Sequence, residues 1–447
     1  MRFRAAPRAW LRAALVALSL LVPAGATGQG AGAPVAPGVS PATDSVRNAR
    51  GQSLVVSLLT YGPGDEVFER FGHVALSVRD TLTGQDVAYN WGMFDFDQPN
   101  FLGRFLTGDT KYWMEGFPTD LFNGVYTRAN RGIRRQTFAL TPVERAALLE
   151  YVSWQSQEEN KYYRYDYYRD NCATRIRDLL DWTLRGRLRP ELSVPGAGRT
   201  WRGETERITA NDLPVFAGIE VALGRDADRK LSRWEEAFLP EHMASSLASV
   251  VLRDSSARRY RLVNDDSVIF AAGRVPLPSE PPDRVVMAAL LGLTIAGLIA
   301  VLADARGRFV RVALSVLVAG WYLVGGLLGT LLLLAGTVTK HAPYMGNNTT
   351  LLQLHPLLLV AAFAVPIALI RHRRTRAAMG VSATVALLSV IGLLLQLVPA
   401  LSQRSGVVLA VTVPVHVALA VAVWRLGLQH GSPQSSHPGA NRDRDAM

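Results

Sequence analysis

Five long apolar runs in the C-terminal third limit this chain more than any other feature of its sequence. They fall at about 285 to 303, 312 to 339, 351 to 370, 377 to 401 and 406 to 426. Each approaches the roughly 20 residues that cross a hydrocarbon layer as a helix. Backbone inside lipid must satisfy its own hydrogen bonds, so runs of this kind predict five membrane helices and exclude a wholly soluble fold. The arginines give the direction. Arg306, Arg308 and Arg311 follow the first run, Arg371, Arg373, Arg374 and Arg376 the third, and Arg425 the fifth, whereas the other two loops carry Lys340 and Arg404. Cationic loops stay cytoplasmic, which puts everything before the first run outside and the C-terminus inside. The chain has 48 basic and 37 acidic residues, a net charge of +11. Much of that excess is therefore a topology signal, and no nucleic-acid partner is expected.

The N-terminus agrees with export. Arg2, Arg4, Arg8 and Arg12 precede the apolar run Ala13 to Val22, and Ala24-Gly25-Ala26 supplies a small-residue cleavage site. An uncleaved first membrane helix is the alternative, and it would export residues 27 onward equally. The expected organisation is a signal peptide at 1–26, an Ala/Gly/Pro-rich linker at 27–50 and an exported domain at 51–275. A stiff linker at 276–284, a transmembrane domain at 285–428 and a cytoplasmic tail at 429–447 complete it.

The exported domain carries the chemistry. Val74 to Val78 and Val87 to Trp91 read as two strands joined by the turn Leu82-Thr83-Gly84-Gln85, a hairpin that returns Asn90 toward His73. Thr141-Pro142-Val143-Glu144 has the capping-box pattern and predicts a helix to about Gln157. Cys172 is the only cysteine, which excludes an internal disulfide and a cysteine-rich zinc site. Asp170 or Asn171 can cap a helix through Ile176, Leu179, Leu180 and Trp182, placing the sulfur in its first turn. Free N–H groups there favour a thiolate and offer donors to an oxyanion. A thiolate beside a histidine is an acyl-transfer nucleophile, whereas a lone Cys before an apolar helix is also ordinary core, and spacing alone leaves both open. The sequence contains no phosphate-cradling glycine loop, no H-E-x-x-H helix and no G-x-S-x-G elbow, so nucleotide chemistry, zinc proteolysis and serine hydrolysis find no support. No metal or cofactor is expected. The aromatics from Trp91 to Tyr126 are expected to be mostly core, with some lining an acyl path to the sulfur.

Several separated motifs occur in order: Phe71-Gly72-His73-Val74-Ala75-Leu76, Tyr89-Asn90-Trp91-Gly92, Glu159 to Tyr165, Asp170-Asn171-Cys172-Ala173-Thr174-Arg175 and Phe238-Leu239-Pro240. Together they resemble the Lnb N-terminal periplasmic domain family, similar in turn to permuted NlpC-type, papain-like thiol enzymes. The resemblance implies an α+β, permuted papain-like exported domain ahead of the five-helix transmembrane bundle, in the bacterial inner membrane. It also implies lipoprotein N-acylation, in which a fatty acyl group passes from a membrane phospholipid, through a Cys172 thioester, to the α-amine of a bacterial lipoprotein. His73 would be the base and Asn90 its orienting partner, by analogy with papain-like sites. Arg175 would meet a phosphate or pair with Asp178. His341 and Asn348 lie in a polar segment similar to one in the membrane region of such proteins, and would hold a head group or substrate peptide unless they simply cap two helices. A cell-wall cysteine amidase or peptidase, and a non-enzymatic membrane sensor or assembly protein, are the competing classes.

Overall fold

The computed structural model describes residues 44–305 and 307–426, so the expected signal peptide, most of the first linker and the tail fall outside the described residues. The chain forms two compact units. One runs through Pro282 and also takes in Leu334–Asn348; the other comprises Asp283–Leu333 and the residues from Thr349 on.

The first unit is built on a seven-stranded, wholly antiparallel sheet. Its strands are β1 (Leu54–Tyr61), β2 (His73–Asp80), β3 (Asp86–Met93), β4 (Lys111–Pro118), β5 (Ile133–Phe138), β6 (Tyr162–Arg164) and, at the far edge, β9 (Val263–Phe270). They lie in the order β6-β4-β3-β2-β1-β5-β9, while the short β7 (Val251–Arg253) and β8 (Arg259–Arg261) form a separate pair. Side chains alternate between the faces of a strand, so parity sorts the core into two layers. Leu54, Val56, Leu58, Val74, Leu76 and Val78 enter the larger layer with Ile176, Leu179, Leu180, Met243 and Leu247 from the helices Cys172–Thr183 and Pro240–Ser249. Leu59, Tyr61, Ala75 and Ala88 enter the smaller layer with Tyr126 and Phe122 of the helix Thr119–Arg128. Burial of each such aliphatic side chain contributes about 1.5–3 kcal/mol. The expected hairpin and helix are both present. Ala75 pairs with Asn90 across β2 and β3, and the helix Pro142–Gln155 begins with a complete Thr141–Glu144 capping box.

The second unit is helical. Among the described residues four helices are long and apolar enough to cross a membrane: Val285–Leu302, Arg308–Val338, Arg376–Leu395 and Gly406–Arg425. The third expected run differs from the others. It forms a 3-10 turn at Thr349–Leu352 and then a helix of only 13 residues, Leu358–Ile370, about 20 Å long against the ~30 Å hydrocarbon core. Four of the five expected helices thus have spanning length among the described residues, and the third run is a turn followed by a short apolar helix. The reason lies in the sequence between them: Asn347-Asn348-Thr349-Thr350 and His355-Pro356 are polar or lack an amide donor, and cannot extend an apolar helix. Thr350, Gln353 and Leu354 in that irregular stretch are buried by protein.

Candidate functional site

His73 opens β2, and parity points it toward the smaller layer. Its imidazole lies parallel to the Tyr126 ring, 6.3 Å between centroids. Asn90, two residues before Gly92 on β3, projects from the same face and is buried. His73 Nε2 donates to Asn90 Oδ1 in a short hydrogen bond. An amide oxygen only accepts, so Nε2 carries the proton and the neutral ring keeps its lone pair on Nδ1.

Cys172 arrives from the other layer, as the first residue of Cys172–Thr183. Gly92 is where the two sides meet. The pairing of β3 with β4 slips between Trp91 and Met93, and Gly92 adopts φ +121°. A Cβ placed there would stand 3.5 Å from His73 Cε1 and 4.0 Å from Cys172 Cβ. The missing side chain and the bulge leave a gap bordered by the His73 ring on one side and the Cys172 Cβ on the other, and only glycine adopts that backbone conformation without strain. The sequence contained this signal in Trp91-Gly92, a glycine ending a strand pattern, but the register needed to interpret it is long-range.

The helix start departs from expectation. Asn171 caps it, and its Oδ1 accepts from the N–H groups of Ala173 and Thr174, each at 2.9 Å, while Asn171 N–H donates to Thr174 Oγ1. Two of the amides at the helix start, those of Ala173 and Thr174, therefore donate to the cap. Asn171 Nδ2 in turn donates to the carbonyls of Tyr167 and Phe238, fixing the loop before the nucleophile. The thiolate expected from the helix dipole is also not the resting state. Burial pushes the Cys172 thiol up to about 11, outweighing the hydrogen bonds from the Val74, Ala173 and Cys172 amides. Burial likewise pushes His73 down to about 4, against the opposing effect of Asn90 and with help from the Arg131 cation. At neutral pH the pair is a neutral thiol beside a neutral imidazole.

Two neighbours escaped the sequence reading. Arg131 is buried over the Tyr126 ring, 4.6 Å from its centroid, and is fixed by Glu69 at 2.9 Å and the Gly62 carbonyl at 2.8 Å. Its positive field lowers the pKa of both the thiol and the imidazole. The Tyr163 hydroxyl is buried and has no hydrogen-bond partner among the described residues. Burial is the main cause that keeps this phenol protonated, and the nearby Cys172 sulfur adds to it.

The three residues assigned to substrate binding are otherwise engaged. Arg175 forms a two-pronged ion pair with Asp170, 2.7 Å on its Nη2 arm, and stacks over Tyr163 at 4.2 Å. Asp178 pairs with Arg177 instead. Asn348 Nδ2 donates to the carbonyls of Val221 and Ala222 at 3.0 and 3.1 Å. His341 Nε2 donates to the Phe105 carbonyl at 3.0 Å. These bonds hold the segment 334–348 in the first unit. Between them Tyr344, buried against Tyr168 and Trp201, donates to Asp166 Oδ1, which also accepts the Tyr168 and Arg169 amides in the turn leading to Cys172.

An antiparallel sheet with Cys172, His73 and Asn90 near one another, in a chain whose described residues include four apolar spans, defines a multi-pass membrane protein with a mixed α/β domain. Residues 43–203 match the family model described as the Lnb N-terminal periplasmic domain, and this part of the chain is a domain of that family. That domain makes the sheet-bearing part periplasmic. Neither the curated proteins nor the solved structures gave a match.

Proposed function

We propose that the protein is a thiol acyltransferase of the bacterial inner membrane. It moves a fatty acyl group from phospholipid to the N-terminal amine of lipoproteins, and its periplasmic domain is a permuted papain-like unit. The observation that carries the reading is the meeting of Cys172 and His73 across Gly92, with Asn90 fixing the imidazole tautomer. His73 Nδ1 takes the thiol proton as Sγ attacks the ester carbonyl of the lipid. The tetrahedral intermediate collapses, the ester C–O bond breaks, and the imidazolium returns the proton to the departing lysophospholipid alkoxide. The lipoprotein amine then attacks the thioester, an amide C–N bond replaces the C–S bond, and His73 carries the amine proton to the leaving thiolate. Generating the thiolate only during attack suits a buried pair of neutral groups. Arg131 favours the anion as it forms, and the protonated Tyr163 hydroxyl supplies a donor near the sulfur.

The topology reading has Thr349–Ile370 cross the membrane as an irregular first half followed by its short helix. Non-helical backbone is tolerated at that depth where protein covers it, as it covers Thr350, Gln353 and Leu354. Arg308 with Arg311, Arg371 with Arg373 and Arg374, and Arg425 then share the cytoplasmic side.

The test is intact-mass spectrometry of the purified chain incubated with phospholipid and no acceptor, beside Cys172→Ala. The expected result is a hydroxylamine-labile gain of one acyl chain on the unsubstituted protein alone, discharged by a diacylglyceryl lipopeptide. Absence of that adduct, with the protein folded, sinks the reading in favour of a peptidase or a sensor.

A further inference from the structure

The short helix Phe101–Thr107 and the loop before it present an apolar surface that the core does not use. Leu102 is 66% exposed, Leu106 60% and Phe96 61%, with Phe105 beside them also exposed. Four such side chains in one patch mark a contact surface rather than scattered exposure. The chain itself places that patch. The membrane-crossing helix Arg308–Val338 is apolar to its end, and the residues just after it bind the patch-bearing segment directly. Lys340 N–H donates to the Thr107 carbonyl at 2.9 Å, Lys340 Nζ meets Asp109 at 2.7 Å, and His341 holds the Phe105 carbonyl. Two residues reach at most about 7 Å, so Lys340 and the Thr107 end of the patch-bearing helix lie close to the last residues of that span.

A line of rings starts at the same patch. Phe96 and Phe105 contact Phe101 at 5.2 and 6.2 Å between centroids, Phe101 lies 6.3 Å from Phe94, Phe94 5.1 Å from Tyr112, and Tyr112 stacks on Tyr165 at 4.3 Å. Phe94, Phe101, Tyr112 and Tyr165 are each half-buried, so part of each side chain stays accessible. The line ends at Tyr165, the residue just before the Asp166–Asp170 turn that leads into the helix start at Cys172.

We propose that the Phe96, Leu102, Phe105 and Leu106 patch lies in the bilayer surface, and that the rings from Phe101 to Tyr165 guide a phospholipid acyl chain from that surface to Cys172. The occupant is a bilayer phospholipid, because the patch is apolar and tethered to a membrane span, and aromatic rings pack readily at the interface and along an acyl chain. The guiding role rests on the acyltransferase reading, whereas the membrane contact does not.

The experiment uses the full chain in lipid nanodiscs and separates the two. Cys172→Ala leaves no cysteine, so Leu102→Cys, Leu106→Cys and, at the opposite end of the β2–β3 hairpin, Leu82→Cys can each carry one environment-sensitive fluorophore. The expected result is blue-shifted emission, quenched by spin-labelled phosphatidylcholine, at 102 and 106 and water-like emission at 82. Water-like emission at 102 and 106 overturns the surface. With Cys172 intact, the double variant L102D/L106D should take an acyl chain from vesicle phospholipid about tenfold more slowly or worse, while a water-soluble short-chain thioester labels it at the unsubstituted rate. Equal slowing with both donors, or no slowing with either, overturns the path. Labels that sit in lipid while the unsubstituted protein gains no acyl group would sink the acyltransferase reading and leave the membrane surface standing.

Discussion

The periplasmic unit and the helical unit bury their polar groups by opposite means. In the first, parity fills two apolar layers and leaves His73, Asn90, Arg131 and Cys172 at the end of the sheet, where each polar atom is either bonded or available for chemistry. In the second, the helices approach one another on small residues. A Cβ added at Gly292 would stand 2.8 Å from Val411 Cα, and one at Gly326 2.8 Å from Leu359 N. Interior polar groups there also pair between helices, as Ser389 Oγ does with His416 Nδ1 at 2.7 Å. The contrast between two glycines shows two uses of a missing side chain. Gly92 opens a gap between two functional side chains, whereas Gly292 closes one between two helices.

That comparison can be broken experimentally, beginning with its largest expected effect. His73→Ala should lower acylation of Cys172 by roughly 10²–10⁴, the usual worth of a positioned acid–base group, without changing thermal unfolding of the helical unit; near-normal labelling would remove His73 from the chemistry. Gly92→Ala fills the gap and strains φ at +121°, so a loss of about 10² in acylation is expected from displaced reacting groups. Circular dichroism should show the sheet intact in that variant, and retained activity would mean that the gap is incidental. Gly292→Val should instead act on stability alone, costing about 1–3 kcal/mol through overpacking, read as a lower melting temperature in detergent with unchanged labelling by a soluble thioester.

The smallest effect is a pH profile. His73 has a folded pKa of about 4, below its ordinary 6.5, so it stays neutral and able to accept a proton down to that region. Labelling by a soluble thioester should hold level from about pH 5.5 to 8 and fall as pH drops through about 4. The sign for stability comes from the same shift: the unfolded chain binds the proton first, so stability is full above about 6.5 and declines as pH falls toward 4. A midpoint near 6.5 in the labelling profile would show an imidazole open to water instead of one buried against Tyr126.

Much of this was legible locally. The β2–β3 hairpin, the Thr141 cap and the Asn171 cap depend on neighbours within a few residues, and alternation placed His73 and Asn90 on one face. Four of the five membrane runs are long enough spans for the same reason, since helix length and apolarity are properties of a continuous segment. The third run reads as one continuous helix because hydropathy averages over the Thr349–Leu352 turn and His355-Pro356, which interrupt it. Arg131 and Tyr163 gave no local sign of their roles, being brought to the thiol by strands and loops far apart in the chain.

The sequence alone therefore determined the membrane-spanning character, the cationic loops, and a single thiol at a helix start preceded by a histidine at a strand start. Only the tertiary structure decided the ionisation of that pair, because burial is set by every element packed around it and here overrides the helix dipole. It also gave Arg175, His341 and Asn348 internal partners, since a polar side chain bonds to whatever the fold brings within reach.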